Sequence, residues 1–182
     1  FRAKDRELTK EEYFRLLNTA KKQGKMRLHY LMQTLGSTGI RISELCFITV
    51  EAVRERQAQV SLKGKNRVVL LPLALCRKLE RYIQENKIES GSVFVTKRGK
   101  PMDRSNVFRE MKALCEEARV NAKKVFPHNL RHLFACCYYK EEKDIAHLAD
   151  ILGHSSIETT RIYLTVSWEE EVKKIEKMKL VC

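Results

Sequence analysis

A histidine and an arginine stand three residues apart in the segment PHNLRH, as His128 and Arg131. If this segment is helical, both side chains lie on one face. A guanidinium can donate two hydrogen bonds to the oxygens of one phosphate, and an imidazole can transfer a proton near neutral pH. The pair is therefore a candidate site for a phosphodiester, although a solvated basic helix face would show the same spacing.

The histidines of this segment also suggest a metal site. His128 and His132 are four residues apart, which suits two zinc ligands on a helix. However, the glutamate of the HExxH pattern is missing, no third ligand is apparent nearby, and the six cysteines include no CxxC pair. We therefore expect no metal and no other cofactor.

A second candidate segment, LGHSSIETTRIY, places His154 nine residues before Tyr163. Gly153 can end one helix, and Ser155 with Glu158 forms a capping-box pattern that would begin the next. His154 is then predicted in a tight turn between two helices, with Tyr163 near the end of the second. A tyrosine at a helix end usually only packs, so its neighbours decide whether it has a chemical role.

Two further pairs of charged residues precede these segments. Arg41 and Glu44 lie one helical turn apart in TGIRISEL. This spacing predicts either an intrahelical ion pair that contributes little to stability or an arginine that Glu44 holds in position to contact a phosphate. Lys63 and Lys65 flank Gly64 in a predicted hairpin, where Lys63 ends the first strand and Lys65 lies in the turn.

The charge balance agrees with an anionic partner. Lys and Arg total 36 against 23 acidic residues, a net charge of +13, which favours binding to polyanions. Nucleic acid is the first candidate and an anionic membrane surface the second, but no stretch concentrates charge as a membrane-anchoring helix would. No apolar run is long enough to span a membrane. A basic protein without a nucleic-acid role remains an alternative.

The elements that would position these residues are mostly helical. Apolar periodicity and caps predict helices starting at Thr9 and Pro72, and over 26–38, 41–45, 105–119, 128–140, 144–152, 156–164 and 169–180. Alternating patterns predict strands near 58–62, 67–71 and 92–96. The fold class is therefore α+β and mainly α-helical, with a small three-stranded antiparallel sheet.

Taken in order, the motifs resemble the catalytic domain of the tyrosine recombinases, which include phage integrases and the integrases of conjugative transposons. The resemblance covers nearly the whole chain and rests on TGIRISEL, the KGK hairpin, HNLRH and LGHSSIETTRIY. The residues of the last motif are most similar to those of phage-type and conjugative-transposon integrases.

The resemblance implies a role for each candidate residue. Arg41, Arg131 and His154 would hold the scissile phosphate, and His128 would assist proton transfer. Tyr163 would attack the phosphorus and form a 3′-phosphotyrosyl bond to DNA. Because a free phenol has a pKa of about 10, nearby guanidiniums would favour its reactive phenolate and stabilise the added charge on phosphorus.

A hairpin lysine would protonate the leaving 5′-oxygen. Lys63 stands where the family's lysine usually does and is favoured over Lys65 for this role. Glu44 would support Arg41. Fixed cations would take the place of a metal ion in such a site.

The resemblance further implies a site-specific recombinase or integrase in the cytoplasm of bacteria, associated with the nucleoid. Its partners would be double-stranded DNA, further copies in a homotetramer on that DNA, and accessory DNA-bending or directionality proteins, with no membrane. The catalytic domain would span 1–167, and 168–182 would form a helical tail that is exchanged with a neighbouring protomer or, as the alternative, packs against its own domain. Because the sequence begins at Phe1, we expect that the N-terminal DNA-binding domains of the full protein are absent from this chain. The alternatives are DNA relaxation of the type IB topoisomerase kind and a catalytically silent DNA-binding module.

Overall fold

The computed structural model describes residues 6–62, 64–161 and 168–178. Lys63 and Tyr163, the predicted general acid and the predicted nucleophile, lie outside these residues.

Helices build most of the described chain. They are α1 Lys10–Lys22, α2 Met26–Thr38, α3 Val50–Glu55, α4 Leu73–Glu85, α5 Arg104–Lys112, α6 Cys115–Ala118, α7 Pro127–Glu142, α8 Ile145–Leu152, α9 Ile157–Arg161 and α10 Trp168–Lys177. Short 3₁₀ helices lie at Ile42–Phe47 and Ala122–Lys124. None of the described helices is long and apolar enough to cross a membrane.

The β structure is a hairpin rather than the predicted three-stranded sheet. Strands β1, Gln57–Leu62, and β2, Lys65–Leu70, pair antiparallel from Gln57↔Leu70 to Leu62↔Lys65. In the described chain, the predicted strand over 92–96 makes only isolated bridges, so this prediction is wrong. Val93 and Phe94 are each 1% exposed, so the apolar pattern reflects burial in the core and not pairing with a strand.

Local capping explains several helix starts. Thr9 Oγ1 accepts a hydrogen bond from the Glu12 backbone at 3.1 Å, and the Glu12 carboxylate accepts one from the Thr9 backbone at 2.9 Å, as the predicted capping box requires. Pro127 occupies the first turn of α7, where its missing N–H costs nothing. The cap of α9 lies one residue later than predicted, because Ser156 Oγ accepts from the Glu158 backbone.

Helix α7 joins the two hydrophobic clusters of the domain. Leu130 in its first half belongs to the large core formed with α1, α2, β1 and α4. Ala135 in its second half packs with Leu148 and Leu152 of α8 in a smaller cluster. Because a single rigid helix enters both clusters, it fixes where α8 ends relative to α2.

A glycine allows α2, α7 and α8 to approach each other. Gly39 follows α2 with φ 65°, in the left-handed region. A Cβ on Gly39 would lie 2.5 Å from Cδ1 of Phe134 and 3.1 Å from Cδ2 of Leu152. A larger residue would therefore combine backbone strain with a collision between helices.

We predict that Gly39→Ala lowers the free energy of unfolding by about 3 kcal/mol, because left-handed strain and overpacking add. Gly24→Ala is the matched control: its φ is 72°, but no described atom lies within 4 Å of the added Cβ. The control should lose only about 1 kcal/mol. Urea denaturation of both variants measures the difference, and equal losses would contradict the close packing at Gly39.

Candidate active site

The C-terminal turn of α8 is where arginines from different elements meet. Three consecutive carbonyls of this turn each accept from one guanidinium: Ile151 from Arg67 at 2.8 Å, Leu152 from Arg131 at 2.6 Å, and Gly153 from Arg41 at 3.5 Å. The last carbonyls of a helix have no partner within the helix and carry its negative dipole end. The turn therefore attracts and orients positive charge.

Arg131 is the most enclosed of these arginines, with 2% of its surface exposed. Its guanidinium donates to the Gly39 carbonyl at the end of α2 and to the Leu152 carbonyl at the end of α8. The ends of two helices thus stabilise one permanent positive charge. The bonds fix the plane of the guanidinium, which lines a cleft of about 210 Å³ together with Arg41 and His128.

Arg41 pairs with Glu44 as the sequence predicts. Its Nη1 donates to Glu44 Oε1 at 2.9 Å, and its backbone N–H donates to Glu44 Oε2 at 2.9 Å. Burial acts to raise the pKa of Glu44, but the backbone bond from Arg41 and the charges of Arg67 and Arg41 lower it below its ordinary value. Glu44 is therefore an anchored carboxylate, and the half-exposed Arg41 side chain is held over the cleft.

Arg67 completes this network, although no motif in the sequence had indicated it. Its Nη2 donates to Glu44 Oε2 at 2.6 Å. The alternating pattern of β2 could have indicated Arg67, because this residue lies opposite buried Val60 and two residues before buried Val69. Alternation in a strand places Arg67 on the inward face, where a charged side chain needs a partner.

His154 lies in the predicted turn between α8 and α9. Gly153 adopts φ 64°, and the His154 backbone N–H donates to the Ala149 carbonyl at 2.9 Å, which closes the helix end. The ring lies between two partners: Nε2 is 3.0 Å from Arg131 Nη2, and Nδ1 is 2.8 Å from the Thr160 hydroxyl. Since a guanidinium can only donate, Nε2 accepts and the ring proton is on Nδ1.

The electrostatic surroundings keep this imidazole neutral. Burial, followed by the charges of Arg131, Arg41 and Arg67 and by His128, lowers the pKa of His154 to about 4. At neutral pH the ring therefore adds no charge of its own to the cluster of guanidiniums. At neutral pH, a negative charge entering the site would favour protonation of the ring.

The two histidines of α7 lie in different places. His128 is exposed at the start of α7 and lines the 210 Å³ cleft with Arg131. His132 is 2% exposed, and its Nε2 lies 3.4 Å from Glu7 Oε1 and 3.5 Å from Cys136 Sγ. Within the described ranges, no His, Cys, Asp and Glu side chains form a group of three or more that could hold a metal ion.

The hairpin and α9 border a larger cleft of about 970 Å³ that also includes Arg41 and His154. Asn66 lines this cleft beside Lys65, the first residue of β2. Thr159 lines it from α9, whose last described residue, Arg161, precedes Tyr163 by two positions. The folded chain thus brings Asn66 of the hairpin and Thr159 of α9 to the same cleft as Arg41 and His154.

The low pKa of His154 makes stability depend on pH. The unfolded chain binds a proton at His154 below about pH 6.5, whereas the folded chain binds it only near pH 4. Since the unfolded state holds more protons in this window, the free energy of unfolding falls as the pH falls. After allowance for solvent screening, we expect a loss of about 1 kcal/mol between pH 6.5 and pH 5.

The measurement is urea unfolding at both pH values. His154→Gln, which keeps an acceptor for Arg131 but does not titrate, should remove this part of the pH dependence. His147→Gln, at an exposed histidine of α8, is the matched control and should retain it. An unchanged pH dependence in His154→Gln would contradict the neutral, half-buried imidazole.

Known proteins are similar to this chain in sequence. Residues 6–170 match the Phage integrase family. Tyrosine recombinase XerA of Thermococcus kodakarensis is 34% identical over 181 residues, covering 96% of this chain and 63% of the relative. XerA of Pyrococcus furiosus is 30% identical over 178 residues, covering 96% and 62%. This chain therefore spans a little over three fifths of the length of these relatives.

Solved structures show the same fold. The crystal structure of XerA recombinase superposes with a TM-score of 0.79 at 27% identity, covering 97% of this chain and 64% of that one. The XerH site-specific recombinase superposes with a TM-score of 0.78 at 21% identity, covering 96% and 55%. The α+β fold with its small antiparallel hairpin is thus that of tyrosine recombinase catalytic domains, and the chain belongs to the phage integrase family.

Proposed function

We propose that this chain is the catalytic part of a site-specific DNA recombinase that cleaves and rejoins DNA strands through a 3′-phosphotyrosyl bond on Tyr163. The observation that carries the proposal is the convergence of Arg41 and Arg131 with neutral His154 beside two adjoining clefts. The relatives are named tyrosine recombinases, and the XerH protein of the same fold is bound to its difH substrate. The net charge of +13 further supports DNA as the partner.

The guanidiniums are suited to bind the scissile phosphate and its transition state. Attack on phosphorus adds negative charge to the non-bridging oxygens, and donors that are already oriented stabilise this charge without reorganisation. Arg131 is oriented by two helix ends, and Arg41 by Glu44. Since fixed cations supply the charge, the proposed reaction is independent of metal ions.

The histidines would handle protons in this scheme. A bound phosphate places negative charge next to His154, which raises the pKa of the imidazole and allows it to donate to a phosphate oxygen. His128 is exposed at the smaller cleft beside Arg131 and would take part in proton transfer. Both roles require a group that changes protonation near neutral pH.

The bonds balance without an external energy source. Tyr163 Oη passes its proton to His128 and forms a bond to phosphorus as the bond from phosphorus to the 5′-oxygen breaks, and Lys63 protonates that oxygen. A phosphodiester is thus exchanged for another phosphodiester. A 5′-hydroxyl from a second strand can then attack the phosphotyrosine, restoring the DNA backbone and releasing the tyrosine.

We also propose assembly as a homotetramer on DNA, with residues 168–182 exchanged between neighbouring protomers around the catalytic domain 1–167. The support is the exposed apolar surface at the C-terminal end of α10, where Ile175 is 64% exposed and Met178, which follows the helix, is 60% exposed. Uncovered apolar side chains of this size favour a partner surface. Accessory DNA-bending or directionality proteins would act on that assembly.

The central prediction concerns Tyr163. Mixed-sequence DNA duplexes with a nick trap a covalent intermediate, because the short leaving strand diffuses away, and gel electrophoresis under denaturing conditions detects the adduct. Tyr163→Phe should abolish the adduct, since only the attacking oxygen is lost, and should retain DNA binding. Tyr139→Phe, on α7, is the matched control and should still form adducts.

The same experiment separates the alternatives. Sequencing the trapped DNA gives the target site, and strand exchange between two duplexes carrying it distinguishes a recombinase from an enzyme that only relaxes supercoils. DNA retention without any adduct would indicate a binding module. An adduct formed by Tyr163→Phe would exclude Tyr163 as the nucleophile.

A further prediction assigns the general acid. Lys63→Ala should slow cleavage by about a hundredfold, the lower end of the range for general acid catalysis. A substrate with sulfur in place of the 5′-oxygen should recover most of the rate, because a thiolate leaves without protonation at its pKa of about 8.5. Lys65→Ala is the control and should show neither effect. Rescue by sulfur in Lys65→Ala alone would move the general acid to Lys65, which is the first residue of β2 and does not lie in the turn where the sequence predicted it.

A further inference from the structure

We propose that Arg67 is a positioning residue of this active site: it ties Glu44 to the C-terminal turn of α8 and so orients Arg41 and His154 together. The inference rests on the proposed function, because it concerns the same site. It adds a residue outside the set of phosphate-binding arginines, histidines, lysine and tyrosine.

Arg67 uses separate nitrogens for two partners that are far apart in sequence. Nη2 donates to Glu44 Oε2 at 2.6 Å, and Nη1 donates to the Ile151 carbonyl at 2.8 Å. Glu44 belongs to the 3₁₀ helix after Arg41, and Ile151 belongs to the last turn of α8, three residues before His154. One planar guanidinium therefore sets the distance between the segment that carries Arg41 and the turn that carries His154.

The burial of the two arginines agrees with different roles. The side chain of Arg67 is 13% exposed, whereas that of Arg41 is 37% exposed. Glu44 is 2% exposed and receives both of them on different oxygens. Arg41 can thus reach a phosphate in the cleft. Arg67 lines the same 970 Å³ cleft, but its Nη1 and Nη2 are already bonded to the Ile151 carbonyl and to Glu44.

The stem of Arg67 also packs against the turn itself. A Cβ on Gly153 would lie 2.5 Å from Arg67 Cδ and 2.8 Å from Arg67 Nε. Gly153 immediately precedes His154, so the Arg67 side chain is in close contact with the backbone that places the imidazole. Movement of Arg67 would be transmitted directly to that backbone.

Lysine cannot replace Arg67 in this arrangement. Its single ammonium nitrogen can approach Glu44 or the Ile151 carbonyl, but it lacks the planar fork that reaches both along fixed directions. Arg67→Lys keeps the positive charge and most of the stem, and it therefore tests geometry rather than charge. Arg67→Met keeps the stem and removes the charge.

The experiment measures single-turnover cleavage and non-covalent DNA affinity of the intact 182-residue chain on the nicked duplex recovered from adduct sequencing. We expect Arg67→Lys to slow cleavage by about tenfold to a hundredfold, the scale of small misplacements in active sites. DNA affinity should stay within about twofold of that of the unchanged chain, since the substitution leaves the contacts of other residues with DNA phosphates unchanged. Arg54→Met, at an exposed arginine of α3, is the control for lost positive charge and should cleave normally.

A double-mutant cycle with Glu44→Gln separates positioning from direct contact with DNA. If Arg67 acts through Glu44, the losses in rate from Arg67→Lys and Glu44→Gln are not additive. Additive losses together with weaker DNA binding would overturn the inference in favour of a phosphate contact. Thermal unfolding is recorded for every variant, and failure of both Arg67→Lys and Arg67→Met to fold would overturn it in favour of a purely structural residue.

The outcomes also separate this inference from the proposed function. If the unchanged chain forms no adduct, the proposed function is wrong. If the unchanged chain forms the adduct and Arg67→Lys cleaves at the same rate, only the role of Arg67 is wrong.

Discussion

The interaction on which the site depends is the capping of one helix end by arginines from elsewhere in the fold. A helix leaves its last carbonyls without partners, and a buried carbonyl without a donor is costly. In α8 the carbonyls of Ile151 and Leu152 accept from Arg67 of β2 and Arg131 of α7. The turn therefore connects the hairpin and α7. His154 follows Ile151 and Leu152 in the sequence, so these two hydrogen bonds also hold the backbone that carries it.

Among the described residues that line the two clefts, arginines outnumber carboxylates, and this suits an anionic substrate. Arg41 and Arg67 share the buried carboxylate of Glu44, and Arg131 donates to the carbonyls of Gly39 and Leu152. Dipoles orient a guanidinium without neutralising it, so positive charge remains at the clefts. The same charge depresses the pKa of His154, and a phosphate would reverse that effect.

The rest of the domain supplies the rigidity that such a site requires. Leu130 and Ala135 anchor α7 in two separate clusters, so Arg131 between them has little freedom. Gly39 permits α2, α7 and α8 to meet closely, and Gly153 permits Arg67 to lie against the turn. A well-packed core thus determines the geometry of groups that interact electrostatically.

The sequence by itself determined the features that depend on near neighbours in the chain. The Thr9–Glu12 capping box, the Arg41–Glu44 pair and the helical spacing of His128 and Arg131 involve residues three positions apart, and the structure has all three. Helical periodicity and caps are local physics, so a pattern in the sequence is enough to predict them.

Only the tertiary structure decided the features that depend on distant segments. The apolar pattern at 92–96 indicated a strand, but it records burial of Val93 and Phe94, which a pattern cannot distinguish from pairing. The hydrogen-bond partners of Arg67 lie 23 and 84 residues away in the sequence, and no local pattern identifies them. The pKa and tautomer of His154 likewise depend on burial and on arginines that converge only when the chain folds, because electrostatic energies depend on distance in space and not along the sequence.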